Sequence, residues 1–178
     1  GITVNSSLLF EEWFREAGFP EGVFQTSLLT SAQISRFIAD DRVGSVTFTR
    51  SARVGAIIGK QAGEHIKPVV LELGGSDPFV VLDSADVTQA ATLAARVRLA
   101  NAGQICVSPK RVIVTDKVAD EFIATYAQIF AAARVGDPFD AETTVGPMAS
   151  VSAAQDLQEL YQDAVDKGAT VVVPGGRQ

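Results

Sequence analysis

Apolar positions recur along this chain at two spacings, and the switching between them sets the expected architecture. Leu8, Leu9, Trp13 and Phe14 fall at helical spacing, which predicts an opening helix that Ser6 or Ser7 can cap and Gly18 can end. VFQTSLL (23–29) predicts a short strand, and SAQISRFIADDRV (31–43) a helix with Ile34, Phe37 and Ile38 on one face. GSVTFT (44–49) reads as a strand, SARVGAIIGKQAGEHI (51–66) as a helix, and KPVVLEL (67–73) as a strand closed by Gly74 and Gly75. The pattern then repeats. PFVVLD (78–83) predicts a strand, followed by a long Ala-rich helix over 84–101 with Ser84 or Asp86 at its cap. A strand over 110–116, a helix over 117–135, a Pro/Gly/Asp loop over 136–148, a helix over 150–168 and a strand over 169–176 complete the chain. Strands alternating with helices of this length imply βαβ units, so the fold class is α/β with parallel sheets and flanking helices.

Composition narrows the picture without changing it. A chain of 178 residues, 47% hydrophobic and 20% charged, can build a core of ordinary size for one domain. The formal net charge of −6 argues against nucleic acid and anionic membrane as partners, since both select basic surfaces. The longest apolar runs, such as VVL and VVV, are strand-sized rather than membrane-sized. One cysteine and one histidine, Cys106 and His65, permit no internal disulfide and no multi-cysteine metal site. That usage predicts a reducing, cytoplasmic setting and no metal. The chain also opens without a first strand and stops just after one, which predicts a piece of a larger protein.

Four stretches can carry chemistry. In NAGQICVSPKR (101–111) the sole thiol, Cys106, lies in a polar loop between helix and strand, ahead of Lys110 and Arg111. A partly exposed, electropositive thiol is reactive, whereas apolar burial makes a cysteine inert, and both readings stand on composition alone. Glu72 ends an apolar strand in VVLELGG, where it is either a solvent-facing strand residue or a desolvated general base. FTRSARVG (48–55) is a strand-to-helix turn in which Ser51 can cap the helix, whose free N–H groups can hold a phosphate. GDPFDAETTVGP (136–147) is rich in turn residues and can be a connector only.

Together these four stretches resemble the aldehyde dehydrogenase superfamily. FTRSARVG is similar to its cofactor turn, LELGG to the segment with its general base, NAGQICVSPKR to its nucleophile loop, and GDPFDAETTVGP to a later signature. Glu72 and Cys106 are 34 residues apart, as in that pattern, and the likeness runs in order through essentially the whole chain. LELGGSDPFVVLDSAD is similar to the succinate-semialdehyde branch. The resemblance implies that residues 1–74 are the second half of a Rossmann-like cofactor domain and 75–178 the first half of the catalytic, thiol-bearing domain. It implies NAD(P)-dependent oxidation of a small aldehyde or semialdehyde to its acid, in a homo-oligomeric parent. Cys106 would add to the aldehyde carbon, hydride would pass to NAD or NADP, and water activated by Glu72 would hydrolyse the thioester. The Cys106 N–H would form half of an oxyanion hole. Thr49, Arg50, Ser51, Val54 and Leu73 would lie against the cofactor, and Gln104, Ile105 and Val107 would shape the aldehyde pocket.

Arg50 departs from the pattern, standing where the family usually has glycine. It either blocks close approach of the dinucleotide or contacts a phosphate itself. The family's Pro-Trp-Asn segment, its ribose-gripping lysine and its later glutamate segment do not occur in this sequence. Two other readings remain at this point: a thioesterase using the same cysteine without a nicotinamide, and a non-catalytic interaction module keeping the fold.

Overall fold

The computed structural model describes residues 3–175. They fall into two compact units divided after Leu73.

In the first unit the order is α1 (Val4–Glu16), α2 (Ser31–Ala39), β1 (Val46–Arg50), α3 (Ala52–Glu64) and β2 (Val69–Leu73). Helix α1 starts earlier than its apolar positions suggest. Thr3 is its N-cap, so Ser6 and Ser7 lie inside the helix, and Gly18 just beyond it takes the left-handed backbone with φ 81° that ends it. The expected strand over 23–29 does not form. The segment is instead tied to α1, with the Thr26 N–H donating to Glu11 Oε2 at 2.9 Å and Thr26 Oγ1 to the Ser7 carbonyl at 2.8 Å. Bonds to helix groups replace the ladder that a strand requires. Helix α2 is opened by a Thr30–Gln33 capping box. It stops at Asp40 rather than running to residue 43, because Asp40 turns extended and its carboxylate takes the Arg42 N–H at 3.0 Å and guanidinium at 2.7 Å. β1 and β2 pair in parallel, Thr49 opposite Glu72 and Arg50 opposite Leu73. Ile38, Ile58 and Ala62 are the buried apolar residues of this unit.

The second unit runs β3 (Pro78–Val81), α4 (Val87–Leu99), a 3₁₀ turn (Ala100–Gly103), β4 (Arg111–Val114), α5 (Asp116–Ala131) and α6 (Val151–Asp166). β3 and β4 are parallel, in register from Pro78–Arg111 to Val81–Val114. Asp86, one of the two expected caps, starts α4 by accepting the Gln89 N–H at 2.9 Å. Ala91, Ala94 and Ala95 are fully buried, and the small side chains let α5 approach closely enough for Phe122 to close the core with Val81 and Val87. The expected final strand does not form over 169–175, and residue 176 lies outside the described residues. Its valines have no neighbouring strand among the described residues, and a lone strand has no ladder to complete. No helix among the described residues is long and apolar enough to cross a membrane.

Candidate active site

In the first unit the parallel pairing brings the expected residues to one edge. Thr49 and Arg50 end β1, and beside them Glu72 and Leu73 end β2. Carboxyl ends of parallel strands are where α/β sheets leave room for ligands. Ser51 follows as the N-cap of α3, yet its hydroxyl makes no capping bond and stays exposed. Among the described residues the N–H groups of Ala52 and Arg53 have no partner, and neither do the side chains of Arg50 and Arg53. No acidic residue lies in the first turn of α3. A helix start with free donors, free arginines and no carboxylate in its own first turn suits an anionic group such as a dinucleotide pyrophosphate. Val54 is half-buried one turn in. Gly55 is buried where α3 crosses β2, and a Cβ there would come 2.5 Å from Leu73 Cδ2, so glycine permits the approach that seats Leu73.

Glu72 is exposed and has no hydrogen-bond or ion-pair partner among the described residues. The packing of its own unit therefore does not supply the desolvation expected of a buried base.

In the second unit the thiol loop is held from several sides. It follows three consecutive left-handed residues, Asn101 (φ 51°), Ala102 (φ 53°) and Gly103 (φ 74°). Glycine adopts that backbone freely and asparagine tolerates it, so the strain of the reversal falls chiefly on Ala102. Arg98 compensates from inside the loop, donating to the Gly103 carbonyl at 3.1 Å and to Ser108 Oγ at 3.2 Å. Ser108, only 3% exposed, donates in turn to the Val97 carbonyl at 3.3 Å. Gln104 holds the other flank. Its amide donates to the Asn101 carbonyl at 2.9 Å and its Oε1 accepts the Ala149 N–H at 2.9 Å.

That second bond joins the thiol loop to Ala149, the residue that follows the 136–148 segment. The segment is folded on itself by a bridge between Val135 and Val145 and by Thr144, which donates to the Arg134 carbonyl at 2.9 Å and accepts the Arg134 N–H at 2.8 Å. It is a built loop rather than a slack connector.

Cys106 is exposed. It borders a cleft of about 230 Å³ between Pro78 and Phe79 of β3, Leu93 and Val97 of α4, and its own loop. Val107 lines this cleft and is 77% exposed, whereas Gln104 and Ile105 do not line it. The Cys106 and Val107 N–H groups have no partner among the described residues. Lys110 and Arg111 do not simply face solvent. Lys110 bonds loop carbonyls, and Arg111 Nε donates to the Ser76 carbonyl at 2.8 Å. Sequence reasoning passed over Arg98 and Ser108, although a serine two residues past the thiol and an arginine late in the preceding helix were visible.

Residues 2–178 match the model of the aldehyde dehydrogenase family. The chain belongs to that family. This aldehyde dehydrogenase chain is 47% identical over 172 residues to a succinate-semialdehyde dehydrogenase [NADP(+)] of Deinococcus radiodurans, covering 97% of this chain and 36% of that protein. Among solved structures, the succinic semialdehyde dehydrogenase of Streptococcus pyogenes in complex with NADP+ superposes with a TM-score of 0.91 at 41% identity, over 98% of this chain and 38% of that one. The NAD-dependent aldehyde dehydrogenase of Sinorhizobium meliloti gives 0.92 at 33% identity, over 99% and 35%. This aldehyde dehydrogenase chain thus spans a little over a third of the length of the curated relatives it matches.

Proposed function

We propose that the enzyme carrying this chain oxidises a small aldehyde, with succinate semialdehyde the favoured substrate, to its carboxylic acid using NAD or NADP. The observation that carries this reading is the sole thiol of the chain, exposed at a cleft in a side-chain-held loop beside two N–H groups unpaired among the described residues. The names of the relatives support the substrate and cofactor classes.

In this reading Cys106 Sγ, as thiolate, bonds to the aldehyde carbon, and the carbonyl π pair moves onto oxygen. The Cys106 N–H stabilises that oxyanion. A nicotinamide, when bound, would supply the acceptor for the hydride that the former aldehyde carbon loses as its oxyanion re-forms the carbonyl, which gives the thioester on Cys106. Glu72 takes a proton from water, the resulting hydroxide adds to the thioester carbon, and sulfur departs as thiolate while the acid is released. Ser51, Arg50 and the free N–H groups at the start of α3 hold the dinucleotide phosphates, with Thr49, Val54 and Leu73 lining the same edge. Val107 lines the aldehyde side of the thiol's cleft, and Gln104 and Ile105 support it from the preceding stretch of the loop. Residues 1–74 serve the cofactor and 75–178 the thiol chemistry.

Cys106→Ala tests this in that enzyme. Aldehyde-dependent cofactor reduction should fall by roughly a thousandfold or more, as for loss of other covalent nucleophiles. Activity surviving within about tenfold, under about 1.4 kcal/mol of barrier, contradicts the assignment.

A further inference from the structure

The lysine four residues past the thiol does unusual work for an exposed side chain. Its Nζ donates to the carbonyls of Ile105 at 3.2 Å, Cys106 at 2.8 Å and Ser108 at 3.2 Å. An ammonium has three donors and no acceptor, so these contacts satisfy it fully. Two of the three carbonyls have a further consequence. In a trans peptide the C=O and the following N–H point in opposite directions, and the described residues contain no cis bond. Fixing the Ile105 carbonyl on Lys110 therefore aims the Cys106 N–H away from it, and fixing the Cys106 carbonyl does the same for the Val107 N–H. Among the described residues both N–H groups are without partners, as is that of Ile105, whereas the Ser108 N–H is taken by the Ile105 carbonyl at 3.2 Å. A cation on a carbonyl also polarises the peptide and strengthens its N–H as a donor.

We propose that Lys110 is a positioning residue: by gathering the loop carbonyls on one side, it aims the Cys106 and Val107 N–H groups together at the oxyanion that forms when Cys106 attacks a carbonyl. The proposal rests on the reading of Cys106 as the nucleophile. It extends that reading by giving the turn a second donor and by naming what holds both in place. Arginine would not substitute fully, because its planar fork cannot converge on three carbonyls from one point.

The test exploits the single thiol and two reagents. p-Nitrophenyl acetate acylates it: sulfur bonds to the acetyl carbon, a tetrahedral oxyanion forms, and its collapse expels p-nitrophenolate to leave an acetyl thioester. Iodoacetamide alkylates it by direct displacement of iodide and develops no oxyanion. Both rates are measured on the enzyme carrying this chain, by mass spectrometry of the peptide that contains Cys106. Lys110→Met should lower the acylation rate about tenfold or more while alkylation changes less than about twofold, and Lys110→Arg should recover only part of the loss. A parallel fall of both rates in Lys110→Met would mean loop collapse and overturns the proposal. So does an unchanged acylation-to-alkylation ratio, and so does full acylation in Lys110→Arg, which would make charge alone sufficient. If wild-type Cys106 alkylates but acylates no faster than a cysteine peptide, the nucleophile reading falls as well, which separates the two failures.

Discussion

The thiol loop of the second unit and the β1–α3 turn of the first are built on opposite plans. In the loop, Arg98, Gln104, Ser108 and Lys110 all spend their hydrogen bonds on neighbouring groups of the same unit, most of them main-chain. In the turn, the side chains of Arg50, Ser51 and Arg53 spend none among the described residues. Preorganisation explains the difference. A covalent nucleophile gains from donors fixed before reaction, because nothing then has to reorganise as charge develops. An anion-binding turn gains from donors kept unengaged, because any internal partner would compete with the ligand.

Gly103→Val should damage the held loop most. The position has φ 74°, which a β-branched residue tolerates poorly, and even a Cβ would sit 3.1 Å from the Arg98 carbonyl and 3.2 Å from its guanidinium. The second unit should lose about 2–3 kcal/mol in denaturant unfolding, with Cys106 acylation slowed. A variant as stable as wild type would show that the left-handed reversal is dispensable.

Ser51→Ala probes the open turn and should separate binding from stability. Loss of a serine N-cap ordinarily costs about 1 kcal/mol, but Ser51 makes no capping bond. Unfolding free energy should therefore stay within about 0.5 kcal/mol, while NADP binding by the enzyme weakens several-fold in calorimetric titration. A stability loss of full cap size would contradict the free hydroxyl.

The smallest effect concerns acid. Asp83, between β3 and α4, is held below the ordinary aspartate value of 3.8 by the Thr115 hydroxyl at 2.5 Å and then by Lys117 at 2.9 Å. A lowered acid stabilises the folded state above the unfolded value, and that contribution disappears as pH falls through the lowered one. Both groups are exposed, so the effect is slight. Asp83→Asn should flatten the acid limb of stability below about pH 4 without altering it near neutrality. An unchanged acid limb would show that the pair adds nothing.

Much of this was legible in the sequence, for local reasons. Asp86 as a cap, Gly18 as a stop and the βαβ alternation each depend on a few adjacent residues. The run over 23–29 misled because its apolar content suits a strand, whereas Glu11 and Ser7, more than ten residues earlier, take its hydrogen bonds. The valines over 171–173 misled because strand propensity means little without a partner strand. At the site, an exposed thiol in a polar loop was readable. The Gln104–Ala149 bond, across 45 residues, and the convergence of Lys110 on three carbonyls were not, since neither leaves a periodic or spacing signal. Thr49 opposite Glu72 likewise emerges only from strand register.

The most direct test of covalent catalysis at Cys106 is to trap the acyl enzyme. In the enzyme carrying this chain, Glu72→Gln removes the proposed water-activating base but leaves the thiol in place, so hydrolysis should stall after one turnover. The sample is mixed with succinate semialdehyde and NADP, quenched, and mapped by peptide mass spectrometry. The account predicts a burst of one equivalent of reduced cofactor per site and a matching succinyl adduct on the peptide containing Cys106. Cofactor reduction without any adduct on that peptide, or a burst with no stall, would contradict it.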